Sequence, residues 1–322
     1  MTPRFTLTRR LAPDHAARSL RADVSAGLTA TPKTLPPKWF YDARGSDLFE
    51  EITRLPEYYP TRTEREILTA AAPAIAQLTG ARTLVELGSG SSEKTRLLLD
   101  ALGANLRGYA PLDVSESALR EAGEALVRDY PDLEVAATVA DFESPIVLPD
   151  TPGPYLLAFL GSTLGNLDAG QRAAFLTSVR TALGPGDALL LGADLVKDTG
   201  ELLRAYDDSS GVTAAFNKNV LHVLNRELQA DFDPDAFDHR AVWDPAEERV
   251  EMRLRSAHEQ QVKIAALDLL LHFEEGEEWR TEISVKFRRE SLAAELAAAG
   301  LAVRQWWTDE HERFALLLAE PV

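Results

Sequence analysis

The sequence predicts an α/β fold: a Rossmann-like, doubly wound seven-stranded sheet with a second α+β domain. Three observations carry that prediction. Between residues 61 and 194, apolar strand-like runs alternate with helix-like stretches, the rhythm of parallel strands crossed by helices. The runs LLAFL and ALLLG are apolar on both faces, as covered central strands are. After Asp194 the runs alternate apolar and polar residues, as antiparallel strands with one wet face do. A chain of 322 residues also suits two domains better than one.

Leu20, Val24 and Leu28 recur at helical spacing over 14–29, with Asp14 as N-cap. Pro32, Pro36 and Pro37 then bar a regular helix, and the triplet Trp39-Phe40-Tyr41 follows. A second aromatic and proline cluster, LPEYYP, spans 55–60. Both read as stiff straps packed over a core. A helix from Thr61 to about Leu78 leads into strand 83–87, helix 92–102, strand 107–112 and helix 115–129. Strands 134–139 and 155–160, helix 169–182 and strand 187–193 come next. Helices 199–206 and 211–228 precede strands 238–244, 248–256, 261–273 and 279–287. Helix 290–299 and strands 301–307 and 312–319 finish the chain. Seven strands share one sheet only if the last two rejoin the first domain. The expected domains are therefore 61–196 plus 287–322 for the sheet, and 8–60 plus 197–286 for the second.

Charge and composition exclude several functions. The chain has 34 Lys and Arg against 51 Asp and Glu, a net charge of −17, which repels phosphate backbones and anionic lipid. No nucleic-acid or membrane partner is expected. There is no cysteine, so disulfides, thiolate metal sites and thiol nucleophiles are out. The six histidines form no HExxH-like pair, and no metal is expected. No apolar run nears the roughly 20 residues of a membrane span, and the start lacks the apolar core of a signal peptide. A cytoplasmic monomer is the expectation.

The segment Val85-Glu86-Leu87-Gly88-Ser89-Gly90 reads as a strand entering a glycine turn at the carboxyl edge of the sheet. Gly88 and Gly90 allow positive φ and close backbone approach to a ligand. Glu93 stands where a dinucleotide signature needs its third glycine, which counts against NAD or FAD. Asp113 ends the second strand, where a carboxylate can accept both ribose hydroxyls of an adenosine. Asp141-Phe142 ends the third, where a carboxylate and a ring could hold adenine. Each Asp alone also fits a helix cap. With Glu86, they make acidic residues at three successive strand ends, a pattern that suits S-adenosylmethionine, which carries no phosphate and whose cationic groups favour carboxylates and rings.

These residues resemble the histidine-specific Nα-methyltransferases of ergothioneine biosynthesis. The resemblance runs from about residue 20 to the C-terminus. It is carried by LTATPKTLPPKWFYDARGSDLFEEITRLPEYYPTRTE, LVELGSGSSEKTRLLLDA, FLGSTLGNL, LLLGADLVKDTGELLRAYDDSSGVTAAFN and TEISVKF. It implies a class I methyltransferase domain with S-adenosylmethionine at Gly88, Lys94, Asp113, Asp141 and Phe142, and Tyr41 near the reacting centre. It also implies L-histidine as substrate and hercynine, its trimethylated betaine, as product. Tyr58, Gly161, Asn166 and Tyr206 would hold the amino-acid end. Glu282 and Ser284 would hold the imidazole, with Met252 nearby and Ile283 also among the substrate-binding residues.

Methyl transfer from a sulfonium to an amine is an in-line displacement, so placement is the main task. An α-amine titrates near 7.7 to 8.0, so modest desolvation or a phenolic partner neutralises it. Tyr41 and Tyr58 could accept from the amine and face the charge that grows with methylation. Asn166 could both accept from the amine and donate to the carboxylate, though it also fits a cap of the helix at 169. Glu282 and Ser284 are two apart, so in a strand they share a face that Ile283, Val285 and Phe287 do not. Read alone, that is also an ordinary half-exposed strand. Other open readings are a methyltransferase for another small amine, a non-catalytic metabolite sensor and, more distantly, a nicotinamide dehydrogenase.

Overall fold

A computed structural model describes residues 4–90, 92–141 and 145–322. In chain order its main elements are β1 (Phe5–Arg9), α1 (His15–Gly27), α2 (Ala43–Ile52), α3 (Pro60–Thr79), β2 (Thr83–Leu87), α4 (Thr95–Leu102), β3 (Gly108–Asp113), α5 (Glu116–Asp129), β4 (Glu134–Val139), β5 (Tyr155–Phe159), α6 (Ala169–Ala182) and β6 (Ala188–Asp194). There follow α7 (Thr199–Tyr206), α8 (Val212–Leu228), β7 (Phe237–Asp244), β8 (Arg249–Ser256), β9 (Gln260–Ile264), β10 (Leu269–Phe273), β11 (Glu278–Val285), α9 (Arg289–Ala298), β12 (Leu301–Thr308) and β13 (Phe314–Pro321). They form two compact units, residues 1–12, 62–195 and 287–322 in the first, and 13–61 and 196–286 in the second.

The first unit holds a sheet in the order β1-β4-β3-β2-β5-β6-β13-β12. β1 through β6 pair in parallel, and β13 runs antiparallel to both β6 and β12. The last two strands thus join this sheet, as the strand count requires. Every residue of β2 and β6 is buried, which is why their sequences lack polar alternation. Leu84, Tyr109, Leu156, Leu190 and Leu316 fill its core. The eighth strand, FTLTR, is not foreseen: a five-residue edge strand alternating half-buried and exposed positions carries little periodic signal. It pairs with β4 from Phe5↔Val135 to Arg9↔Val139. Helix α4 starts at Thr95 rather than 92, because Ser92 takes a φ of 56°.

The second unit pairs the sheet β11-β8-β7 and the hairpin β9-β10 with helices. Its core gathers Phe232, Phe237, Phe273 and Trp279 with Leu20 and Val24 of α1 and Leu28 just after it. The expected single strand 261–273 is two, because Asp268 adopts a left-handed φ of 50° and turns the chain back after a 3₁₀ turn at Ala265–Leu267. Short polar side chains tolerate that conformation. Between the two proline and aromatic straps lies an unforeseen helix, α2. Asp42 caps it by accepting Gly45 N–H at 2.8 Å, a start signal that the prolines before it obscure. Phe40 of the aromatic triplet is buried and stacks obliquely on Phe216 at 4.8 Å.

Candidate active site

In the first unit the glycine loop is built from its own backbone and Asp113. Gly88 and Gly90 take φ of 67° and 49°, and a β-carbon at either would meet nothing within 4 Å, so conformation alone demands glycine there. Gly88 N–H donates to the Leu112 carbonyl at 2.8 Å. Asp113 accepts Gly90 N–H on Oδ2 at 3.0 Å and Ser115 N–H on Oδ1 at 2.9 Å. A carboxylate has roughly four acceptor positions, so it can tie β3 to the loop and still take hydroxyls. Ser89 Oγ, in the same loop, is buried with no hydrogen-bond partner among the described residues. Asp141 lines a cavity of about 100 Å³ with Arg10, Leu11, Leu112, Ala140 and Ile146. Phe142 lies outside the described residues.

The third acidic strand end is a different case. The Glu86 side chain is buried and turns under the loop, accepting Thr95 Oγ1–H at 2.8 and 2.7 Å and the hydroxyl of Tyr109. Burial pushes its pKa up to about 7 against these hydrogen bonds. Glu86 is therefore a prop beneath the loop rather than one of three ligand-facing carboxylates.

Lys94 and Gly161 meet through a residue with no role assigned from the sequence. Glu64, fully buried, accepts from Lys94 Nζ on one oxygen and from Gly161 N–H at 2.7 Å on the other. A β-carbon on Gly192 would lie 2.2 Å from Glu64 Oε1, so that glycine makes room for the carboxylate. Gly161 itself has a φ of 74° and opens the loop holding Asn166. Asn166 ends the 3₁₀ turn Thr163–Asn166. It is not the cap of α6, because Asp168 and Gln171 form a reciprocal capping box there.

In the second unit one aromatic cluster links three expected site tyrosines. The Tyr41 ring packs edge-on against Phe49 and Phe216 at 5.6 and 5.3 Å, Phe49 meets Tyr58 at 6.2 Å, and Tyr58 meets Tyr206 at 6.4 Å. Tyr206 Oη lies 2.8 Å from Ser284 Oγ. Its carbonyl lies 2.8 Å from His239 Nε2, while His239 Nδ1 faces Asn217 Nδ2 at 2.8 Å. Since Asn217 Nδ2 only donates, Nδ1 must accept and Nε2 must carry the proton. Burial lowers the His239 pKa, in keeping with a neutral ring.

Strand β11 delivers the remaining groups through a bulge. The ladder with β8 pairs Trp279↔Leu254 and Arg280↔Arg253, shifts, and resumes with Glu282↔Met252 and Ser284↔Val250. Thr281 is the extra residue, held by Asn217 Oδ1 at 2.6 Å and the Met252 carbonyl at 3.0 Å. A bulge reverses the alternation of faces. Glu282 and Ser284 therefore share a face with Met252, Val250 and Leu254, the side of the buried core. Ile283 pairs with Glu251 on the opposite face, so only its backbone lies in line with its neighbours. There, burial works to raise the Glu251 carboxyl, but Arg253, Arg249 and Arg280 outweigh it and hold its pKa below the ordinary value.

Residues 20–321 match the family described as histidine-specific methyltransferase, SAM-dependent. The chain belongs to that family. It is 58% identical over 317 residues to the histidine N-alpha-methyltransferase of Mycolicibacterium smegmatis, covering 98% of this chain and 99% of that one. It is 55% identical over 318 residues to that of Mycobacterium tuberculosis, with the same coverage. The solved CcbJ methyltransferase of Streptomyces caelestis resembles it at a TM-score of 0.51 and 15% identity, over 88% of this chain and all of that one, a likeness of fold. The sheet of the first unit is accordingly that of a class I methyltransferase, and the family's methyl donor is S-adenosylmethionine.

The residues present fit that donor. The loop backbone is open, Ser89 Oγ is unsatisfied among the described residues, and Asp113 and Asp141 are set at successive strand ends. Two contributors went unread in the sequence. Glu64 looks like any carboxylate near the start of a helix. Lys286 left a usable trace, because the period of two that pairs Glu282 with Ser284 reaches it next. Among the described residues no cluster of histidines and carboxylates is arranged to hold a metal, and no helix is long and apolar enough to cross a membrane.

Proposed function

We propose that this enzyme transfers three methyl groups from S-adenosylmethionine to the α-amino nitrogen of L-histidine, giving hercynine for ergothioneine biosynthesis. The observation that carries the reading is the Thr281 bulge, which turns a carboxylate and a hydroxyl, Glu282 and Ser284, toward one buried face beside Met252 and Tyr206. The near full-length identity to two proteins named histidine N-alpha-methyltransferases supports it.

S-adenosylmethionine supplies an electrophilic methyl on a sulfonium. Gly88, Lys94, Asp113, Asp141 and Phe142 are the residues proposed to hold it. For the amino acid, Glu282 accepts one ring N–H and Ser284 meets the other nitrogen. Asn166, Gly161, Tyr58 and Tyr206 orient the amine and carboxylate, and Met252 packs nearby. Tyr41 and Tyr58 accept from the neutral amine and face the cation as it is methylated. A ring without N–H groups would leave Glu282 desolvated and unpaired, which is how such a pocket discriminates. The enzyme is further read as a cytoplasmic monomer, and light scattering on the eluting peak tests the oligomeric part.

The test is mass spectrometry of purified protein with S-adenosylmethionine and the twenty amino acids together. Histidine alone gaining three methyl groups is expected. Methylation of another amino acid instead would discard the imidazole pocket while keeping the fold and donor.

A further inference from the structure

Lys286 lies one residue past β11 and is only 1% exposed. Its Nζ donates to Tyr206 Oη and to Ser284 Oγ, each at 2.8 Å, and sits 4.6 Å from the centre of the Tyr206 ring. The two hydroxyls are themselves 2.8 Å apart. The three groups close a triangle that contains one formal cation.

An ammonium has three protons and no lone pair. It therefore takes an acceptor position on each hydroxyl and turns both hydroxyl protons away from itself. Either hydroxyl can donate to the other; in the arrangement with Tyr206 donating to Ser284, the serine oxygen accepts twice and its own proton is left for a ligand. We propose that Lys286 is a positioning residue that fixes Ser284 as a donor and so makes the pocket select the neutral imidazole over the imidazolium. This rests on the proposed role of Ser284 toward the ring. The same ammonium repels a ring cation beside Ser284, offsetting the attraction that Glu282 would exert on it.

The other titratable groups around the triangle do not reproduce this effect. Tyr58 contacts the Tyr206 ring, His239 bonds the Tyr206 carbonyl, and Asp207 lies beyond it at 3.9 Å from His239. Glu282 is two residues back along the same strand face, and Glu248 offers Lys286 its backbone carbonyl. None is bonded to Ser284 Oγ.

The trimethylated product isolates the ring, because its α-nitrogen no longer titrates. Its dissociation constant is measured by calorimetry across the imidazole pKa, which is near 6.5 when unperturbed, for the wild type, Lys286→Met and Lys286→Arg. In the wild type, affinity is expected to fall about tenfold per pH unit below that pKa, since only the neutral ring binds. Lys286→Met is expected to bind more weakly at neutral pH and to lose the slope, and Lys286→Arg, which still donates, to keep it. A flat wild-type profile, or an unchanged slope in Lys286→Met, overturns the proposal. Should Lys286→Met fail to fold, Ser284→Ala serves: it removes the donor and must make the slope shallower, and a slope unchanged from the wild type is equally fatal. Histidine turnover by the wild type is assayed alongside, so a wrong substrate is distinguished from a wrong role for Lys286.

Discussion

Glu282 and Met252 stand directly opposite each other across the ladder of β8 and β11, and Thr281 is the extra residue that puts them there. The pairing sets a carboxylate beside a thioether on a face shared with Val250, Leu254 and Ser284. Glu282→Ala is expected to raise the histidine KM by at least about tenfold, some 1.4 kcal/mol of lost recognition. The dissociation constant for S-adenosylmethionine should stay within error. An unchanged histidine KM would remove Glu282 from the substrate.

Thr281 holds the bulge through its hydroxyl. Thr281→Val keeps the shape and strips the bonds to Asn217 Oδ1 and the Met252 carbonyl. Stranding buried acceptors costs about 1–3 kcal/mol, so the urea midpoint should fall with an unchanged m-value. Because Asn217 also orients His239 behind Tyr206, histidine affinity should drop further than donor affinity.

Asp113 binds the glycine loop with one oxygen and the start of α5 with the other. In Asp113→Ala the loop loses its anchor and the proposed ribose contact together. Affinity for S-adenosylmethionine should decline by at least about tenfold by calorimetry. Normal affinity there would mean that the donor lies elsewhere.

Glu86 gives a pH signature. Its folded pKa of about 7 exceeds the ordinary 4.5. Between those values the folded chain keeps a proton that the unfolded chain has released. Stability from this group is thus greatest below about 4.5 and is lost as pH rises through about 7, in total on the order of 3 kcal/mol. Glu86→Gln should flatten this part of the profile and raise the melting temperature at pH 8 relative to the wild type. A profile identical to the wild type would show that Glu86 ionises normally.

Gly192→Ala tests Glu64. The new methyl would sit within 2.2 Å of Glu64 Oε1, displacing the carboxylate from Gly161 and Lys94. Overpacking of this kind costs about 1–3 kcal/mol, and donor affinity should fall with it.

The central sheet was legible because TLVEL, YLLAF and ALLLGAD are buried on both faces, and a short run without alternation suits a strand covered from either side. The glycine turn and Asp113 were legible for a related reason, since positive φ and a strand-end carboxylate restrict residue choice. Other features depend on distant partners. FTLTR becomes a strand only because β4 offers an edge. Residues 261–273 keep one hydropathy pattern across a fold-back that Asp268 alone creates. Glu86 points under the loop because Thr95 and Tyr109 wait there, and nothing in VELGSG shows which way the side chain turns. Glu64 acquires meaning only when α3 brings it to Lys94 and Gly161, which follow it by 30 and 97 positions. The helix at 43–52 was hidden by prolines that end just before its cap.

The displaced register of β11 also bears on how such a pocket changes over generations. Side chains at 282 and 284 can be exchanged singly, each altering what ring is accepted while the frame that presents them stays intact. Drawing Thr281 into regular pairing opposite Met252 would do the opposite, leaving the chemistry of every side chain untouched but handing the buried face to Ile283 and Val285. In the proposed pocket, new ring preferences are therefore reachable by point substitution at 282 and 284, whereas flattening the bulge without loss of a residue would erase recognition altogether.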